Sequence, residues 1–128
     1  MIKKFEEHNL ISWAITILIA GIIFYVSTLI IEEKATIFNT SLPSMIYHIL
    51  IFFFLSLFLF ISLIQGKRNR KLFLFGSLIA LAYGIIDEIH QFFVPGRFST
   101  FEDVIFDFIG ISLAFMIYSI SLIFRKNN

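Results

Sequence analysis

Four runs of about 20 predominantly apolar residues leave this chain few folds to choose from, because that is the length an α-helix needs to cross the hydrocarbon core of a bilayer. They cover residues 12–31, 44–65, 72–93 and 102–124. The first reads "SWAITILIAGIIFYVSTLII", and the second, "SMIYHILIFFFLSLFLFISLI", stops at Gln65 and Gly66. The third ends before Val94, Pro95 and Gly96, and the fourth ends at Phe124, before "RKNN". No connection is long enough for a separate soluble domain, and no internal repeat is present. The expected fold is all-α: residues 1–128 as a single integral membrane bundle of four transmembrane helices. Composition agrees, with 59% hydrophobic residues and a mean hydropathy of +0.92, against roughly 45–50% apolar residues in a soluble domain. Cysteine is absent, which excludes disulfides, thiolate chemistry and thiolate zinc sites.

Lys3 and Lys4 before the first run invite comparison with a signal peptide. Glu6 and Glu7 interrupt the basic region, the apolar run exceeds the roughly 7–15 residues of a signal core, and no small-residue cleavage site follows. A retained helix is expected. Orientation follows from basic residues near the membrane ends. Lys67, Arg68, Arg70 and Lys71 separate the second and third runs, and Arg125 and Lys126 follow the fourth. These belong in the cytoplasm, together with both termini. The connections around Glu32, Glu33 and Lys34 and around Arg97 are then external, and the chain is a multi-pass protein of the cell membrane.

Against this apolar background, "DEIHQFFVPGRFSTFEDVIFD" holds five carboxylates, a histidine and an arginine. With a rise of about 1.5 Å per residue, Asp87 lies roughly 9 Å inside Phe93, Asp107 roughly 8 Å inside Glu102, and His48 roughly 6 Å inside Ser44. Three helices therefore place polar groups at one depth. Taking Asp87 as the origin, a turn of about 100° per residue puts Gln91 near 40°, Glu88 near 100° and His90 near 300°. The same side continues as Gly76, Ala80, Tyr83 and Gly84, a small-residue seam that allows close helix approach. Asp103, Asp107, Gly110, Ala114 and Ser121 form a matching stripe on the fourth helix. The third and fourth helices are expected to pack seam to seam, with His48 in line with Ser44 and Phe52 on the second. The first helix offers a milder stripe of Ser12, Thr16, Ala20 and Ser27. Pro95 and Gly96 break the third helix. Ser99 or Thr100 then caps the fourth, with Glu102 or Asp103 at its third position, and Arg97 is held in the turn above the carboxylates.

The segment "DEIHQFFVPGRFSTFEDVIFDFIG" resembles the signature of the VanZ-like family, membrane proteins named for a member that lowers susceptibility to the glycopeptide teicoplanin. The family pattern is an acidic pair, a glutamine, an aromatic, Pro-Gly-Arg, a serine, an aspartate, and a later asparagine followed by glycine. Here it reads Asp87 and Glu88, Gln91, Phe93, Pro95-Gly96-Arg97, Ser99, Asp103, Asp107 and Gly110, with Asp107 in the asparagine position. His48 matches a histidine near the start of the family's second span, while Ser44 and Met45 depart from the preceding Asp-Lys pair. The resemblance implies the four-helix topology and an envelope-related role, including an influence on teicoplanin susceptibility.

Ionisable residues inside a bilayer cost about 2.5–3.5 kcal/mol at a helix centre, so they pair within the bundle or line a wet cavity. Two readings follow. In one, the charges only clasp the helices, Arg97 pairing with Asp103 or Glu88. In the other they form a site, because five acids against one local arginine and two histidines exceed what a clasp requires. As an enzyme, the site would use Asp87, Glu88 and His90 as candidate acid–base groups. His48, Gln91, Arg97, Asp103 and Asp107 would bind the substrate, Arg97 holding a phosphate or carboxylate. As a receptor, the same residues would bind without chemistry. Either way the expected partner is a membrane lipid or lipid-linked envelope molecule. A divalent cation is a candidate cofactor for His48, His90, Asp87, Glu88, Asp103 and Asp107, although no fixed metal motif is present. No serine-histidine-acid set or phosphate loop is recognisable, and nucleic-acid binding has no support. A proton-coupled transporter fits less well, since no polar trail descends from the acids toward "KRNRK". Trp13, Tyr25 and Tyr47 read as interfacial anchors, and Tyr83 and Tyr118 as packing residues.

Overall fold

The computed structural model describes residues 2–29, 42–97 and 99–126. The connection around Glu32, Glu33 and Lys34 and the end of the first apolar run lie outside them. The described residues are helical throughout apart from short turns: α1 (Ile2–Glu7), α2 (Asn9–Thr28), α3 (Leu42–Ile64), α4 (Arg70–Phe92) and α5 (Phe101–Lys126). The last four are long and apolar enough to cross a membrane. Their outward faces carry residues such as Leu10, Ile17, Leu74, Ile86, Phe108 and Phe124, while Ser12, Thr16, His48, Ser56, Asp87, Glu88, Gln91, Asp103 and Asp107 are buried. Apolar side chains outside and polar ones inside suit a lipid surrounding, where the exterior has no need of water.

Several boundaries differ from expectation for local reasons. The short α1 was not anticipated. It ends where His8 leaves helical geometry at φ −107° and ψ 64°, and it is held by Phe5, which packs edge-on against Phe58 at 5.4 Å. The Ser12 hydroxyl donates to the Phe5 carbonyl at 2.6 Å. Helix α3 starts before Pro43 rather than after it, because a proline in the first turn lacks only an N–H that has no intrahelical acceptor. Helix α4 starts at Arg70 because the Asn69 side chain accepts from the backbone N–H groups of Lys71 and Leu72 at 3.0 and 3.3 Å, an N-cap inside the basic connection.

Helix α3 is the centre of the bundle: it packs against each of the other three spanning helices, and most extensively against α5. The expected seam-to-seam packing of α4 and α5 is found where Gly84 meets Asp107, but elsewhere both seams turn to α3. The α5 seam meets α3, where a Cβ on Gly110 would lie 2.4 Å from the Ile49 carbonyl oxygen, and the α4 seam meets it too, Gly76 lying against Phe60 and Leu63. Phe52 and Phe60 lie against Gly84 and Gly76 of the α4 seam, and both are fully buried.

One end of the bundle is tied by a polar cluster. The Tyr118 hydroxyl donates to Glu6 Oε1 at 2.6 Å and accepts from the Gly66 N–H at 3.2 Å. Arg125 donates to the other Glu6 oxygen and to the Ser121 hydroxyl. Gly66 has φ +75°, a conformation that glycine adopts without steric cost. This cluster brings the N-terminal segment, the α3–α4 turn and the end of α5 to one face. Tyr118, expected to be a packing residue, is both fully buried and the hub of that cluster.

Candidate functional site

At the opposite end, α3, α4 and α5 converge on a second polar cluster. Asp87, Glu88 and Gln91 come from the last turns of α4, Asp103 and Asp107 from the first turns of α5, and His48 from α3, all six buried. Two features set the geometry. A Cβ on Gly84 would lie 2.7 Å from Asp107 Oδ2, so glycine one turn below Asp87 leaves room for the α5 carboxylate. Beyond α4, Gly96 turns the chain back with φ +82°.

Four separate sets of hydrogen bonds run through the cluster. His48 Nδ1 meets Asp107 Oδ1 at 2.8 Å, with both side chains essentially inaccessible. The ring is fixed on both sides, parallel to Phe52 at 6.5 Å and edge-on to Tyr47 at 5.6 Å. Gln91 donates to Asp87 Oδ2 at 2.7 Å, and Arg97 donates to the Gln91 carbonyl oxygen at 2.8 Å. The Ser99 hydroxyl donates to Glu88 Oε2 at 2.9 Å. Thr100 precedes the first residue of α5 and Asp103 is the third, the expected capping positions, but the Thr100 hydroxyl bonds the Asp103 carboxylate at 2.8 Å.

Arg97 therefore reaches Asp87 only through Gln91. Among the described residues no ion pair joins it to Glu88, and its side chain stays half-buried in the turn. His90 is set apart from the other candidates. It stacks on Phe24 of α2 with ring centroids 4.7 Å apart, and its Nε2 is buried without a hydrogen-bond partner among the described residues. Glu102 is half-buried at the start of α5.

Several buried acceptors remain unsatisfied within the cluster. Glu88 Oε1 and Asp107 Oδ2 have no hydrogen-bond partner among the described residues, and neither does the buried Tyr47 hydroxyl. Ligand atoms from His48, Glu88 and Asp103 lie within 4.8 Å of one another. Beside Glu88, a cleft of about 360 Å³ opens between α4 and α5. Its walls are Ile85, Ile89, Phe92, Phe93, Phe101 and Val104, with Glu88, Ser99 and Thr100 as its polar lining. Phe92, Phe93 and Phe101 are each at least 75% exposed, so the cleft faces the surroundings of the bundle.

Sequence reasoning missed the bond between Ser99 and Glu88 and the inward-facing Tyr47. The Ser99 contact had no periodic signal, because it depends on how the turn at Gly96 folds back over α4. Tyr47 did carry a signal in its place one residue from His48, near the expected membrane boundary. No curated protein and no solved structure matches the chain. The model of one protein family, described as VanZ/LLP1, matches residues 6–124.

Proposed function

The chain belongs to the VanZ/LLP1 family, and from that premise we propose that it is a cell-envelope membrane protein that recognises or modifies an amphipathic, anionic molecule at the acid-lined end of its bundle. A lipid-linked precursor or a phospholipid headgroup has the required chemistry. The observation that carries this reading is the α4–α5 cleft. Its apolar walls suit a hydrocarbon chain, and they lead to the buried Glu88 and the Ser99 hydroxyl. Arg97, in the turn between the same two helices, donates one N–H to the Gln91 carbonyl oxygen. Its remaining donors suit the planar fork by which a guanidinium holds a phosphate or carboxylate. With the "KRNRK" end cytoplasmic, the cleft lies at the outer headgroup level, where such a molecule meets glycopeptides. Altered teicoplanin susceptibility is the corresponding cellular effect.

Native mass spectrometry of gently purified wild type, Arg97→Ala and Val104→Trp tests the reading. The tryptophan fills the cleft. A lipid-mass adduct on wild type that is lost from both variants is the expected result; an equal adduct on all three proteins, or none on wild type, overturns it. Turnover of the adducted lipid would assign chemistry, with Glu88 the acid at the cleft, whereas saturable binding with unchanged lipid would assign a receptor. A structural clasp is the second reading, favoured by the His48–Asp107 bond that joins α3 to α5. Under it, removing charge from the cluster lowers stability and nothing copurifies.

A further inference from the structure

We propose that His48, Glu88 and Asp103 form a site for one divalent transition-metal ion, with zinc the expected occupant. The three side chains come from three different helices, and each offers a ligand atom within 4.8 Å of the others. Atoms that close lie no more than about 2.8 Å from a common centre, while zinc–ligand distances are about 2.0–2.2 Å. An inward movement of less than about 1 Å per atom closes the shell, which side-chain torsions supply.

Two further observations point to a ligand at this place. Glu88 is 95% buried, being 5% exposed, and its Oε1 has no hydrogen-bond partner among the described residues although Oε2 is bound by Ser99. A buried carboxylate oxygen without a donor is costly unless something outside the protein chain satisfies it. The second observation is the bond from His48 Nδ1 to Asp107. In metal sites a histidine ligand typically donates its other ring N–H to a carboxylate, which fixes the tautomer and aims the free nitrogen at the metal. With Nδ1 engaged by Asp107, Nε2 is the nitrogen left for an ion.

Charge argues the same way. Four buried carboxylates, Asp87, Glu88, Asp103 and Asp107, share this end of the bundle with His48, and Arg97 donates to Gln91, which in turn bonds Asp87. One dication would offset two of those charges. An imidazole with two carboxylates suits zinc or manganese better than magnesium or calcium, which favour all-oxygen shells. Three protein ligands leave a coordination position open, and Glu88 borders the cleft. The ion would thus present a positive centre to an anionic headgroup in a site otherwise lined by acids. That last role rests on the amphipathic ligand of the preceding section; the site itself does not.

The test uses tag-free, full-length protein in detergent, stripped with a chelator, exposed to zinc or manganese, passed through gel filtration and assayed for metal per chain. About one zinc per chain is expected, with weaker retention of manganese. Glu88→Gln should bind at least tenfold more weakly, Asp107→Asn roughly 10–100-fold more weakly, and Glu102→Gln as the wild type does. Wild-type retention below about one tenth of an equivalent, or undiminished binding by a folded Glu88→Gln variant, overturns the proposal. The wild-type stoichiometry decides the matter if a variant fails to fold. Native mass spectrometry of the stripped and loaded protein separates the two readings. A lipid adduct on a protein that binds no zinc rejects only the metal site, and zinc without any lipid adduct rejects only the amphipathic ligand.

Discussion

Gly110→Ala is the sharpest test of how the bundle builds its site. The new Cβ would lie 2.4 Å from the Ile49 carbonyl oxygen and 2.9 Å from the Phe53 nitrogen, both backbone atoms of α3. Ordinary contact begins at 3.4 Å, so α3 and α5 must separate locally by about 1 Å. His48 and Asp107 lie on those same two helices, within one turn of the contact, and their 2.8 Å bond would stretch to roughly 3.5 Å or more, outside hydrogen-bonding range. Overpacking costs about 1–3 kcal/mol, and a lost hydrogen bond to a charged group about 1.5–3 kcal/mol. Alanine's better helix propensity returns up to about 1 kcal/mol. A net loss of roughly 1.5–5 kcal/mol is expected, read as a lower midpoint of thermal unfolding in detergent, together with weaker binding of zinc and of the copurifying lipid. An alanine variant with the wild-type midpoint and full zinc binding would refute the view that this close approach positions His48 against Asp107.

Tyr118→Phe removes the hub between Glu6 and Gly66 and should cost about 1–3 kcal/mol while leaving zinc stoichiometry unchanged, because the two polar clusters lie at opposite ends. Arg97→Lys keeps the charge but loses the planar fork; the lipid adduct should weaken while the melting midpoint stays near that of the wild type. Zinc affinity should fall as the pH is lowered, since protons compete for the same imidazole and carboxylate ligands, a trend that equilibrium dialysis across a pH series measures directly.

Much of the fold was legible because lipid simplifies the code. Runs of about 20 apolar residues locate spanning helices, and the Asp87, Gln91 and Gly84 arc could be read from the helical repeat alone. The partner of each arc could not. Periodicity identifies a face but not the neighbour it meets, and α3 carries an almost continuous apolar sequence, "ILIFFFLSLFLFISLI", with little angular contrast. Its central place shows only once Gly76 and Gly110 are seen against Phe60 and Ile49. His90 illustrates the same limit: its position one turn from Asp87 suggested a shared site, but its ring turns to Phe24 of α2. Ser99 and Glu6 act through a folded-back turn and a helix outside the spans, where spacing along the sequence carries no information about contact.

The two ends of the bundle bear on whether the acid cluster is only a clasp. At the Tyr118 end both Glu6 oxygens are engaged, and Tyr118, Gly66, Ser121 and Arg125 bond one another in turn, as a polar network does when its task is to hold helices together. At the other end Glu88 Oε1 and Asp107 Oδ2 are buried without partners among the described residues. A purely structural network gains nothing from such atoms, and each costs about 1–3 kcal/mol or more. Glu88→Gln separates the cases. It preserves the side-chain oxygen that accepts from Ser99 and removes a charge that a ligand-free cluster would be better without, so in metal-free protein the melting midpoint should hold or rise. The stabilisation that zinc gives the wild type, which follows from its binding only the folded state, should disappear. A midpoint lowered by several degrees in metal-free protein would instead make Glu88 part of a clasp.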